Sequence, residues 1–151
     1  MRLRLIWPGK TKDARLRALI DDYLKRLSHF ARPEVTELKE SPRAKSGIDR
    51  DSKRISDRLP SGSMTVLLDP SGIQLSSEEM AAQLRAWENS GTKEAVFIIG
   101  GPNGVTPDLS TSVMQHWSLS RLTLTHEMAR VILLEQLYRA YTIIHGLPYQ
   151  K

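Results

Sequence analysis

The sequence predicts an α/β fold, a mostly parallel sheet flanked by helices. Apolar or β-branched runs at 3–7, 65–69 and 95–99 alternate with stretches of helical periodicity. The links between them are short, and no segment repeats, which is the pattern of strands laid side by side with helices covering them. With 151 residues, 40% hydrophobic and 26% charged, the chain is expected to form one domain over 1–151 with a real core.

Leu3-Arg4-Leu5-Ile6-Trp7 reads as the first strand, closed by Pro8-Gly9. From about Asp13 to Phe30, Leu16, Leu19, Ile20, Tyr23, Leu24 and Leu27 form the i, i+3, i+4, i+7 stripe of an amphipathic helix. Val35 to Leu38 reads as a short strand. Residues 39–63 carry Lys39, Arg43, Lys45, Arg50, Lys53, Arg54 and Arg58 with Pro42, Gly47 and a Pro60-Ser61-Gly62-Ser63 turn. They read as a mobile basic loop leading into a short helix, or as a merely solvated segment.

Thr65 to Asp69 is a buried-type strand ending at Pro70-Ser71-Gly72. Ser76 and Glu79 then make a capping box, in which the hydroxyl accepts from the Glu79 amide while the carboxylate reaches back. Met80, Leu84 and Trp87 give that helix its inner face, and Gly91 stops it. Ala95 to Ile99 is the next strand. Thr106-Pro107 starts a short helix running to about His116, and Leu119 to Leu124 looks like a last strand. Thr125 caps a long helix from His126 to His145, ended by Gly146 with Pro148 beyond.

Composition narrows the function classes. The absence of cysteine excludes disulfides, thiolate metal sites and a thiol nucleophile. No apolar run reaches the ~18–20 residues of a membrane span, and Met1 to Pro8 lacks the apolar core of a signal peptide. A soluble cytoplasmic protein is expected. Lys and Arg exceed Asp and Glu by 22 to 17, a net +5 that suits a polyanionic partner or simply a solvated basic surface.

The glycine-rich loop Gly100-Gly101-Pro102-Asn103-Gly104 follows a strand and precedes a helix. It lacks the lysine of a phosphate-binding P-loop, and its spacing and late position are wrong for a dinucleotide loop. What remains is either a loop that lets a ligand approach its backbone or a turn with no ligand. On the last helix, Met128, Val131, Ile132, Tyr138 and Thr142 form an apolar stripe that also contains Glu135 and Arg139. Such an i, i+4 pair is ordinarily a helix stabiliser worth ~0.3–0.5 kcal/mol, but within an apolar face it points to a site. His126, in the first turn, faces the positive end of the helix dipole, which favours the neutral ring. His29, His116 and His145 read as structural. No histidine and carboxylate spacing suits a metal, and none is expected. Tyr149 could stack on a base and Lys151 could meet phosphate.

Taken together, "FIIGGPNG" (97–104), "WSLSRLTLTHEMARVILLEQLYRAYTIIHG" (117–146), "LLDPSGIQLSSEEMA" (67–81) and "PYQK" (148–151) resemble the RlmH family, small SPOUT-class methyltransferases acting on a pseudouridine of large-subunit ribosomal RNA. The resemblance runs over nearly the whole chain. It implies a SPOUT-type α/β knot, in which the C-terminal segment threads a loop as a trefoil, a topology that ordinary folds avoid. It also implies a homodimer, with S-adenosyl-L-methionine held in the knot near the subunit interface. The family's cofactor positions fall on Leu68, Gly100, Leu119, Ser120, Arg121, Leu122, Thr123 and Leu124. Its conserved polar set falls on His126, Glu135, Arg139 and Tyr149.

The implied reaction is methyl transfer to N3 of the pseudouridine. Arg139 is assigned to phosphate or developing negative charge, Glu135 to orienting Arg139, and His126 and Tyr149 to positioning the nucleoside. Ribosomal RNA in the assembled ribosome is the implied partner, gripped by basic residues such as Arg43, Lys45, Lys53 and Lys151 and by both protomers. One position departs from the pattern. The family ends Tyr-His-Lys or Tyr-His-Arg, whereas here Gln150 replaces the histidine, and an amide takes no proton near pH 7. That keeps open the alternative of a ribosome- or RNA-binding factor that retains the knotted fold without turnover.

Overall fold

The computed structural model describes residues 1–42 and 45–149, Lys45 by its backbone alone. Arg43, Gln150, Lys151 and the side chain of Lys45 lie outside the described residues. Five strands, β1 (Arg2–Pro8), β2 (Arg32–Leu38), β3 (Met64–Gln74), β4 (Glu94–Ile99) and β5 (Gln115–Ser118), form one sheet in the order β2-β1-β4-β3-β5. Every pairing is parallel. Helices α1 (Ala14–Leu27), α2 (Lys45–Ser56), α3 (Ser77–Asn89), α4 (Pro107–Ser112) and α5 (His126–Ile144) connect the strands and cover both faces.

Strand periodicity sorts the core into two layers. Leu3, Leu5 and Trp7 of β1 and Phe97 and Ile99 of β4 point to one face, where they meet Ile20 of α1, Leu84 and Trp87 of α3, and Leu133 and Leu137 of α5. Ile6, Val96 and Ile98 point the other way, against Ile55 of α2 and Leu109 of α4. Strands buried on both faces need continuous apolar runs, which is why β1 and β4 were legible as they stand. Trp87 and Trp117 stack at 5.5 Å in the first layer.

The caps behave as their residues dictate. Asp13 caps α1, accepting from the amides of Arg15 at 2.9 Å and Leu16 at 3.4 Å. The capping box at Ser76 and Glu79 is complete, with both reciprocal bonds made at 3.1 and 2.7 Å.

Several boundaries differ from the sequence reading. The last strand is Gln115–Ser118, and residues 119–124 form a loop. Their apolar alternation mimics a strand, but the free edge of β3 is already occupied by 115–118, and Ser118 and Ser120 fold the next residues into local bonds. Accordingly α4 stops at Ser112, where Val113 turns extended. β3 does not end at Pro70. It shifts register between Leu68 and Ile73 and resumes pairing with β5 beyond the bulge. The basic segment is not a mobile loop over its whole length. Residues 45–56 form α2, packed by Ile55 and tied to the start of α4 by Ser52, whose Oγ accepts from the Thr106 amide at 2.9 Å.

Candidate functional site

A cleft of about 270 Å³ opens where the bulge of β3 and the carboxyl ends of β4 and β5 meet the start of α5. Crevices of this kind form beyond the carboxyl ends of parallel strands, because the loops there diverge to helices on opposite faces. Leu68, Asp69 and Pro70 supply one wall, Ile99 to Pro102 and Gly104 a second, Leu119, Ser120, Leu122 and Leu124 a third, and His126 and Ala129 the last. Six of the eight expected cofactor residues therefore share one cleft: Leu68, Gly100, Leu119, Ser120, Leu122 and Leu124. Arg121 and Thr123 lie in the same loop, exposed, and do not line it.

The walls are rich in backbone and aliphatic carbon. Gly101 accepts from the Gly104 amide at 2.9 Å, closing a tight turn that Gly104 completes with φ +79°. A Cβ at Gly100 would lie 3.1 Å from Val105 Cγ1 and 3.3 Å from the Gly104 carbonyl carbon, so a side chain there would press on this turn. Opposite, the Ser118 hydroxyl donates to the Ser120 carbonyl and the Ser120 Oγ accepts from the Leu122 amide, both at 3.0 Å. That arrangement holds Leu122 at the mouth with 75% of its surface exposed. An aliphatic side chain so placed is available to cover a flat ring.

His126 opens α5 behind the Thr125 cap. Burial first, then the positive charge of Arg130, keeps its pKa below the ordinary histidine value, so the ring is neutral near pH 7. The direction expected from the helix dipole is met, though desolvation leads. Two anchors, one accepting and one donating, fix the start of the helix. Glu127 Oε1 accepts from the Lys12 and Asp13 amides at 2.8 and 3.0 Å. Arg130, fully buried, donates to Thr11 Oγ1 at 2.9 Å and to the Pro8 carbonyl at 2.8 Å, and its guanidinium lies 4.9 Å over the Trp7 ring. Sequence reasoning missed Arg130, since a lone arginine on a helix reads as solvated. Its spacing with Leu133, Leu134, Leu137 and Tyr141 was the available signal.

That spacing also corrects the inner face of α5. The buried residues are Arg130, Val131, Leu133, Leu134, Leu137, Ala140, Tyr141 and Thr142, whereas Met128 is 40% exposed and Ile132 and Tyr138 are half-buried. Of the expected stripe, Val131 and Thr142 are buried, while Glu135 and Arg139 lie with Ile132 and Tyr138 on a half-buried flank.

On it the structure gathers a second cluster. Glu135 Oε1 accepts from Arg139 Nε at 3.0 Å and from Nη2 at 2.5 Å, while Oε2 accepts from Gln136 at 2.5 Å. The Arg139 guanidinium lies 4.6 Å over the Tyr149 ring, which meets Tyr138 edge-on at 4.9 Å. Burial, with a hydrogen bond to Tyr23, raises the Tyr149 hydroxyl well above its ordinary pKa, so it stays protonated. Glu135, Arg139 and Tyr149 are therefore together, but His126 is not with them. It lies nine residues before Glu135 and thirteen before Arg139 on one helix, roughly 13 and 20 Å along its axis.

Two of the other histidines are held by neighbours. His145 stacks on Phe30 at 5.1 Å, and His116 Nε2 is 2.9 Å from the Ser110 carbonyl with Nδ1 3.6 Å from Asp69 Oδ2. Lys53 pairs with Asp57 at 3.4 Å. Among the described residues, no group of three or more His, Asp or Glu could hold a metal ion, and no helix is long and apolar enough to cross a membrane.

A family model described as "Predicted SPOUT methyltransferase" matches residues 1–150. Proteins named ribosomal RNA large subunit methyltransferase H are similar over their whole length. The one from Geobacter sp. (strain M21) is 41% identical over 99% of this chain and 98% of its own. That of Gloeobacter violaceus is 40% identical over the same shares, and that of Desulfotalea psychrophila 38% over 100% of both chains. A solved structure described as a probable methylase family protein from Haemophilus influenzae Rd KW20 superposes with a TM-score of 0.55 at 12% identity, covering 99% of this chain and 70% of that one.

Proposed function

The chain belongs to the SPOUT methyltransferase family, and from that premise we propose that it transfers a methyl group from S-adenosylmethionine to N3 of a pseudouridine in large-subunit ribosomal RNA. The observation that carries the reading is the cleft between the bulge of β3 and the carboxyl ends of β4 and β5. Its composition fits the cofactor. Leu68, Leu122 and Leu124 offer aliphatic faces for adenine, and the glycine turn and the 119–124 loop offer unobstructed backbone donors and acceptors. When bound, S-adenosylmethionine supplies an electrophilic methyl on a sulfonium.

The chain's own residues have three tasks: to seat the nucleoside, to help N3 lose its proton, and to exclude water. Neutral His126, at the rim of the cleft, can accept a hydrogen bond from the base or ribose. Arg139, held in plane by Glu135, stabilises negative charge that develops on the base once N3 is deprotonated. Tyr149, kept protonated, donates or stacks. His126 and Arg139 stand roughly 20 Å apart on one rigid helix, so they act on one base only if they come from different copies. That distance supports a homodimer in which the Glu135–Arg139–Tyr149 cluster of one protomer faces the cleft of the other. The knotted threading of the C-terminal segment and work on cytoplasmic ribosomes belong to the same reading.

Incubating the protein with methyl-labelled cofactor and ribosomes lacking the modification tests it. Label is expected in large-subunit RNA, with mass spectrometry locating it on one pseudouridine. Cofactor binding without transfer would instead favour a non-catalytic RNA-binding role.

A further inference from the structure

Among the described residues that line the cleft, the titratable ones are His126 and Asp69, the latter at the bulge of β3. Sequence reading treated it only as the end of a strand. It is a built feature. Oδ1 accepts from both the amide and the hydroxyl of Ser71 at 2.9 Å, and Oδ2 lies 3.6 Å from His116 Nδ1. These contacts tie the carboxylate to Ser71 and to His116 of β5, in a residue that lines the cleft. The Ser71 amide foremost, then its hydroxyl and His116, keep its pKa below the usual carboxylate range against the opposing effect of burial, so it is ionised at neutral pH. Around it the wall is aliphatic carbon, glycine and proline, together with the Ser120 hydroxyl and a neutral His126. Arg130, a buried cation, does not line the cleft and is committed to Thr11 and Pro8.

A cleft whose described lining residues include one carboxylate and no cation is complementary to a ligand of net charge +1. S-adenosylmethionine is such a ligand at neutral pH, with a sulfonium and an ammonium against one carboxylate. The product, S-adenosylhomocysteine, has lost the sulfonium charge and is net neutral. We propose that Asp69 reads this difference, favouring the charged cofactor over its demethylated product and so promoting product release. The inference rests on the cleft being the cofactor site. It adds to that reading a specificity-determining residue outside the glycine turn and the 119–124 loop.

Calorimetric titration of the wild-type protein, Asp69→Asn and Ser71→Ala with S-adenosylmethionine, S-adenosylhomocysteine and sinefungin tests it. Sinefungin places an ammonium where the sulfonium stood. Wild type is expected to bind S-adenosylmethionine and sinefungin about five- to tenfold more tightly than S-adenosylhomocysteine, the scale of one charge pair in a partly solvated site. In Asp69→Asn, which keeps the Oδ1 acceptor for Ser71, the two cationic ligands should weaken by that factor while S-adenosylhomocysteine changes less than twofold. Ser71→Ala, which retains the charge and the backbone bond, should keep the wild-type ratio. An equal loss for all three ligands in Asp69→Asn, or no loss for any, would overturn the proposal while leaving the cleft as the cofactor site. If the wild-type protein binds none of them, the cofactor site itself is refuted and the proposal falls with it.

Discussion

Gly100 and His126 frame the cleft, and each has a consequence that can be measured separately. A valine at position 100 must displace either Val105 or the 101–104 turn, because its Cβ alone would stand 3.1 Å from Val105 Cγ1. The turn lies at the surface of the domain and the sheet core does not depend on it. Gly100→Val is therefore expected to abolish cofactor binding in calorimetry while the thermal midpoint falls by only a few degrees. Normal binding by that variant would move the site elsewhere. For His126, the folded pKa lies below the unfolded value of about 6.5, so the unfolded chain takes up the proton first. The stability this neutral ring contributes is present above pH 6.5 and is lost as pH falls through 6.5 toward the depressed folded value. Urea unfolding at pH 7.5 and 5.5 should show a smaller acid-side loss in His126→Gln than in wild type.

At the scale of elements, the bulge in β3 is where sequence and structure part most instructively. Pro70-Ser71-Gly72 has the composition of a strand terminator, and in isolation it is one. In the fold it is a register shift, made possible because Gly72 has no side chain. A Cβ there would lie 2.6 Å from the His116 carbonyl carbon and 2.8 Å from the Trp117 amide nitrogen, both backbone atoms of β5 that cannot rotate aside. Gly72→Ala is expected to cost about 1–3 kcal/mol in urea unfolding, the range for forcing a methyl into a packed contact. A cost near zero would mean that β5 is free to slide. The position of β5 itself was not legible, because Gln115-His116-Trp117-Ser118 has almost no strand pattern while Leu119 to Leu124 has a convincing one. The neighbour that 115–118 pairs with, the edge of β3, is remote in sequence. The inner face of α5 was misread for a related reason: apolar residues lie on two flanks of that helix, so periodicity alone does not choose between them.

For the whole molecule, the two clusters on α5 set the decisive test of assembly. Gly100→Val damages the cleft, and Arg139→Ala removes the cation from the second cluster. Each homodimer should be inactive. Mixing and refolding the two variants should restore activity to about a quarter of wild type, since a statistical mixture is half heterodimer and each heterodimer holds one intact composite site. Methyl transfer that stays at background in the mixture would confine the active site to a single chain.

By itself, the sequence determined the alternation of strands and helices, the caps at Ser76, Thr106 and Thr125, and, through the resemblance, six of the residues that line the cleft: Leu68, Gly100, Leu119, Ser120, Leu122 and Leu124. Those are local matters, fixed by side-chain chemistry within a few residues or by matching motifs. Only the tertiary structure decided which strand edge 115–118 occupies, that Arg130 is buried, that Asp69 lines the cleft, and that Arg139 stands far from it. Each of these depends on what another part of the chain, tens of residues away, brings alongside. The residues flanking any one position do not encode that information.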